Sequence, residues 1–106
     1  MGAVYLASDL RTGEEIALKR MIPKPGRELS RKPVLRFQRE YHTLCSLAHP
    51  RIIRAFDYGV DETGPYYTME LLEGEDLRDR LMAQGALPPE QVCALMRDVA
   101  SALAAL

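Results

Sequence analysis

The chain has 106 residues, a net charge of −1 and 47% apolar residues. That is one small domain or part of a larger one, with enough apolar content for a core that buries roughly 65% of the extended-chain surface. The near-neutral charge argues against a dedicated nucleic-acid binder, and no apolar run approaches the roughly eighteen residues that span a bilayer. Val4 to Asp9 alternates as a strand, and Leu10-Arg11-Thr12-Gly13-Glu14 is a turn with Gly13 at the positive-φ position. Glu15 to Met21 is the next strand, so the two form a hairpin. Ile22 to Pro33, rich in proline and basic residues, reads as an exposed loop. Pro33 suits the first turn of a helix that runs to about Leu47, with Phe37, Tyr41, Leu44, Cys45 and Ala48 as its apolar stripe. Ile52 to Val60 and Tyr66 to Leu71 are strands joined by Asp61-Glu62-Thr63-Gly64-Pro65. Glu73-Gly74-Glu75 is a linker, and Asp76 caps a helix of two turns ending near Gly85. Pro88-Pro89-Glu90 opens a last helix with Val92, Leu95, Met96, Val99 and Leu103 on one face. There is no internal repeat and no low-complexity segment.

No apolar signal region follows Met1, so the chain reads as cytoplasmic. Its two cysteines, Cys45 and Cys93, lie far apart in helical patterns and read as free buried thiols. The charge is unevenly spread. Between Lys19 and Arg39 stand eight basic residues and one acidic residue, Glu28, whereas Asp57 to Asp79 is mostly acidic. The basic stretch reads as a solvated loop and helix face, with docking of an acidic partner or membrane surface as the alternative. A metal site built from His42, Cys45, His49 and Cys93 fits no paired zinc spacing.

Two charged residues stand out against this background. Lys19 lies in the strand segment Ile16-Ala17-Leu18-Lys19, whose inward positions belong to a core. Glu40 falls inside the helical stripe, three residues after Phe37 and four before Leu44. A carboxylate on a buried helix face is costly unless a cation meets it, and Lys19 is the natural partner. Taken singly, Lys19 could be a snorkelling strand lysine and Glu40 a solvated helix residue.

The surrounding motifs decide between these readings. Met1-Gly2-Ala3-Val4-Tyr5-Leu6-Ala7 precedes the Lys19 strand, and His49-Pro50-Arg51-Ile52-Ile53 follows the Glu40 helix. Tyr66-Tyr67-Thr68-Met69-Glu70-Leu71-Leu72-Glu73-Gly74-Glu75-Asp76-Leu77 comes next. In this order the set resembles the small lobe of a protein kinase, most of all the bacterial serine/threonine branch. The resemblance spans nearly the whole chain. A lone Ala-x-Lys is common, and the ordered combination of loop, strand lysine, helix glutamate, His-Pro turn and Met-Glu hinge is what makes it specific.

The resemblance implies an α+β fold. Residues 1–72 would be a kinase small lobe without its first strand, an antiparallel sheet of about four strands plus a regulatory helix. Residues 73–106 would be the hinge exit and the first two helices of an incomplete large lobe. It implies transfer of the ATP γ-phosphate to serine or threonine hydroxyls of a protein substrate, with magnesium. Lys19 and Glu40 take the catalytic-pair positions, the lysine at the α- and β-phosphates and the glutamate fixing it from a movable helix. Gly2 would let backbone N–H groups approach phosphate. Val4 and Ala17 would cover the adenine ring, and Met69 is the gatekeeper behind it. The Glu70 carbonyl and the Leu72 N–H and carbonyl would bond the adenine edge. Asp76 would reach the ribose hydroxyls or serve only as the helix cap.

Of the family's glycine-rich loop, G-x-G-x-x-G-x-V, only Gly2 and Val4 are present, and Met1 matches a methionine inside that loop. The His-Arg-Asp catalytic loop and the Asp-Phe-Gly metal ligand would fall beyond Leu106, so both ends look cut. No metal ligands are expected within the chain, and the 106 residues alone are expected to be inactive. The stripe on the last helix would lack its large-lobe cover, which favours self-association. Arg51 stands where relatives often have asparagine, and Glu75 where many have a second glycine. Two rival readings are a pseudokinase or regulatory nucleotide-binding module, and a gene fragment with no function of its own.

Overall fold

The computed structural model describes residues 2–22 and 30–106. Met1, matched above to a loop methionine, and residues 23–29 of the expected basic loop lie outside the described residues. Seven elements follow in order: β1 (Gly2–Ser8), β2 (Glu15–Met21), α1 (Arg31–Ser46), β3 (Ala55–Asp61), β4 (Gly64–Glu70), α2 (Leu77–Gln84) and α3 (Pro89–Ala104). The strands form one antiparallel sheet in the order β1-β2-β4-β3. This is the α+β arrangement that the resemblance implied.

Local chemistry places the turns. Gly13 adopts φ 75° in the β1–β2 hairpin, and its N–H reaches the Asp9 carbonyl at 2.7 Å. Gly64 adopts φ 122° at the β3–β4 turn, where Thr63 N–H donates to Asp61 Oδ1 at 2.9 Å. Pro33 is the third residue of α1, where no intrahelical N–H partner is required of it.

One face of the sheet carries the core. Ala17, Met21, Tyr67 and Met69 are buried there with Phe37 of α1, and Val34, Tyr41, Leu44, Ile53 and Tyr58 pack around them. Ring centroids lie 5.0 Å apart for Phe37 and Tyr67, and 5.5 Å apart for Tyr41 and Tyr58. These are tilted contacts that gain quadrupole energy beyond area burial. The Tyr41 hydroxyl donates to the Phe56 carbonyl at 3.0 Å, which ties α1 to β3. On the other side of the sheet, Arg20 grips Asp61 through two bonds of 2.7 Å and lies over the Tyr66 ring at 5.2 Å. That fork-to-fork bond holds the Asp61 carboxyl at about 2, well below the carboxylate range.

The strand expected from Ile52 begins instead at Ala55. Ile52 N–H returns to the His49 carbonyl at 3.1 Å, so the His-Pro segment is a turn. His49 Nδ1 accepts the Arg51 N–H at 3.0 Å, which leaves the ring proton on Nε2, facing Ser101 Oγ of α3 at 3.1 Å. Arg51 Nε lies 3.6 Å from Asp98 Oδ1, also on α3. The expected burial of the two thiols is corrected: Cys45 and Cys93 are both free and exposed. Cys45 stands one position past Leu44, a rotation of about 100° that carries it off the contact line.

Asp76 caps α2, its Oδ1 accepting the Asp79 N–H at 2.7 Å, and Gly85 closes the helix with φ 75°. Along α3, Val92, Met96, Val99 and Leu103 are exposed as a stripe.

Two outcomes follow from this packing. Phe37→Ala removes the ring at the centre of the α1–sheet contact and should cost about 3–5 kcal/mol, a large part of the stability of a small domain. Urea denaturation read by circular dichroism should show the midpoint collapse, and an unchanged midpoint would contradict the assigned core. The α3 stripe should make the purified chain oligomerise, which sedimentation velocity tests directly. A monomer at tens of micromolar would count against it.

Candidate functional site

Pairing across an antiparallel sheet puts opposed residues on the same face. Val4 is opposite Lys19, and Lys19 is opposite Tyr67. In the neighbouring row Leu6 is opposite Ala17, and Ala17 is opposite Met69. Two rows of side chains therefore cross from the β1 edge to β4. The Ala17 and Met69 end is buried in the core. At the β1 edge, Val4 is 59% and Leu6 66% exposed. An apolar ledge beside the lysine is thus left uncovered.

Lys19 Nζ meets Glu40 Oε1 at 2.5 Å, the approach that the two sequence positions called for. The side chains are 28% and 43% exposed. Glu40 therefore lies at the edge of the apolar stripe rather than within it, which lowers the desolvation cost of the pair. The same Oε1 accepts a second bond, from the Tyr67 hydroxyl at 2.5 Å. Partial burial pushes the Glu40 carboxyl upward, but the hydrogen bonds from Lys19 and Tyr67 outweigh it and leave it below its ordinary value.

The other expected site residues take separate places. Gly2 has no positive φ, and close approach explains it: a Cβ there would lie 2.9 Å from the Arg20 carbonyl oxygen and 3.3 Å from the Lys19 side chain. Met69 is buried in the core beside Ala17. The Glu70 N–H donates to the Arg54 carbonyl, and the Glu70 carboxylate accepts the Arg54 N–H, each at 2.9 Å. That side chain seals the entry to β3. Leu72 stands exposed after the last strand. Asp76 uses Oδ1 as the cap of α2. Among the described residues, no group of three His, Cys, Asp or Glu side chains could hold a metal ion. Tyr67 was not singled out from the sequence. Its spacing of two from Met69 places both on one face, but its position opposite Lys19 depends on pairing between distant strands.

The arrangement of sheet and helices fits a known family. The protein kinase domain family matches residues 1–106, and the chain belongs to it. It is 36% identical over 109 residues to the serine/threonine-protein kinase PknB of Mycobacterium leprae, covering 97% of this chain and 17% of that protein. It is 34% identical over 104 residues to the serine/threonine-protein kinase PrkC of Bacillus subtilis, covering 98% of this chain and 16% of that one. The chain thus spans about a sixth of the length of these relatives. Among solved structures, a crystal structure of Rad53 1-466 in complex with AMP-PNP matches with a TM-score of 0.71 at 28% identity, over 92% of this chain and 24% of that one.

A folded-state carboxyl below its ordinary value binds its proton less readily than the unfolded chain does. The stability from Glu40 is therefore complete above the usual glutamate value of 4.5 and is lost as pH falls through the lower folded value. Urea midpoints measured from pH 7 to pH 3 should fall more steeply for the native chain than for Glu40→Gln. Parallel profiles would show that the pair adds no stability.

Proposed function

We propose that the chain is the ATP-holding part of a cytoplasmic serine/threonine protein kinase, with residues 1–72 as the small lobe and residues 73–106 as the start of the large lobe. The observation that carries this is the Lys19 ammonium, anchored by Glu40 on the sheet face that leaves Val4 and Leu6 uncovered. A fixed cation beside an open apolar ledge fits a ligand with a flat ring and a polyphosphate tail. ATP supplies the phosphoryl group that such an enzyme passes to a serine or threonine hydroxyl of a protein substrate.

Each residue has a part in holding that ligand. Lys19 neutralises the α- and β-phosphates. Glu40 fixes the direction of the ammonium so that little side-chain freedom is lost on binding. Val4 and Ala17 cover the ring, with Met69 behind them. The Glu70 carbonyl and the Leu72 N–H and carbonyl bond its edge, and Gly2 lets the backbone come close to phosphate. The Asp76 cap engages only Oδ1, so Oδ2 remains to accept from the ribose hydroxyls. Magnesium would be held by residues outside this segment, and so would the base that accepts the hydroxyl proton.

The 106-residue chain should therefore bind ATP weakly, at about 0.1 mM or poorer, and transfer no phosphate. Methyl NMR during an ATP titration should shift Val4, Ala17 and Met69. Lys19→Met should weaken binding by roughly tenfold or more, as expected for loss of a charge-assisted contact. Shifts clustered elsewhere, or equal affinity in the Lys19 variant, would overturn the assignment. Radiolabelled ATP should leave no Lys19-dependent label on this chain.

A further inference from the structure

We infer that Tyr67 is a positioning residue whose hydroxyl holds Glu40 at Lys19 and so keeps α1 docked on the sheet. The role it serves rests on the reading of Lys19 and Glu40 given above. Tyr67 is 1% exposed, the largest fully buried side chain among the described residues. An unpaired polar group in the core costs its desolvation, as at the neighbouring Tyr58 hydroxyl, which is buried without a partner, whereas the Tyr67 hydroxyl has an acceptor. The acceptor it finds belongs to α1 rather than to the sheet: Glu40 Oε1, at 2.5 Å. Should α1 swing away, the Tyr67 hydroxyl would lose this charge-assisted bond together with the cover of Phe37 and Tyr41, and would have only water in exchange. The docked position of the helix is therefore favoured even when Lys19 turns toward another anion.

The ring sets the aim of the hydroxyl. It packs on Phe37 and Tyr41, three residues before and one after Glu40, with centroids 5.0 Å and 5.6 Å away. It stands opposite Lys19 across the β2–β4 pair, and Lys19 Nζ is 6.0 Å from its centroid. A phenol has few rotatable bonds, so its reach is rigid. Burial first, and then the Glu40 carboxylate, hold the Tyr67 proton on far above the ordinary phenol range. The group is a donor at every physiological pH. The ammonium keeps two further N–H donors after bonding Glu40, so Lys19 can meet phosphate while Tyr67 retains the carboxylate.

Tyr67→Phe separates this role from plain core packing, because it keeps the ring and removes only the donor. Among the described residues, the charged and titratable neighbours of Glu40 are Lys19 from β2, Tyr67 from β4, and Arg36 and Arg39 on its own helix; Tyr58 and Asp57 of β3 stand beyond Tyr41. In the 106-residue chain with carbon-13 glutamate, Tyr67→Phe should make the Glu40 carboxyl roughly three- to tenfold less acidic, the loss expected for one hydrogen bond of ordinary net strength at a partly exposed carboxylate. Amide exchange across Phe37 to Leu44 should quicken by roughly tenfold, while the β2–β4 amides keep their rates and report an intact sheet. Adding Tyr67→Phe to Glu40→Gln should change helix exchange less than it does alone, since the two residues share one bond. An unmoved Glu40 titration, or fully additive exchange effects, would overturn the inference. The ATP titration of the Lys19 variant separates it from the nucleotide reading. Absent ATP binding with a shifted Glu40 would sink that reading and support Tyr67 as the anchor of α1.

Discussion

One carboxylate oxygen joins three elements of this protein. Glu40 Oε1 receives an ammonium from β2 and a phenol from β4 while its backbone belongs to α1. Remove that oxygen and the helix is held only by its apolar face and the Tyr41 to Phe56 hydrogen bond. Lys19 would then be a half-buried cation with no counter-charge, free to fold back toward solvent. The direction of the lysine and the depth of the helix both depend on this meeting point. Its exposure is intermediate, so the pair avoids most of the cost of a buried ion pair yet is less screened than a surface one.

The sheet makes the meeting possible through register. With period two along each strand, a slip of one residue would turn Lys19 to the other face and bring Arg20 in its place. Several contacts oppose that slip. Arg20 is clamped to Asp61 on the far side, Gly2 fits against the Arg20 carbonyl where a Cβ would not, and Tyr66 lies over Gly59 where a Cβ would come within 2.5 Å of its hydroxyl oxygen. A bulge between Ala55 and Tyr58 adjusts β3, and the buried Thr68 hydroxyl accepts the Asp57 N–H at 3.1 Å. These polar locks lie away from the Lys19 face, which leaves that face to the aromatic core and the site.

The helical segments show a different balance. α2 and α3 are joined by Arg80 and Gln91 at 3.1 Å, and α3 reaches the His-Pro turn through Ser101 and Asp98. These are polar threads rather than a shared apolar core. Exposed Val92, Met96, Val99 and Leu103 leave the main apolar face of α3 unspent. Membership of the protein kinase domain family gives the arrangement its context, since the chain corresponds to about a sixth of its relatives.

Much of this was legible in the residues. Alternation and turn glycines marked β2 from Glu15 to Met21, Gly13 and Gly85 took the positive φ that their places required, and Asp76 became the cap that its residue type suggested. The approach of Lys19 to Glu40 also followed, because a carboxylate at the rim of an apolar stripe selects a nearby cation. Those are local properties, or properties of one strong pair. What only the tertiary structure decided depends on distant segments meeting. Ile52 looked like strand by propensity, but the turn back to His49 claimed its N–H. Cys45 looked buried by periodicity, yet the helix rotated it off the sheet. Tyr67 was one aromatic among several until β2 and β4 paired and set it opposite Lys19, under a helix 27 residues away in sequence. Periodicity gives the face on which a side chain lies; only chain closure gives the group it meets there.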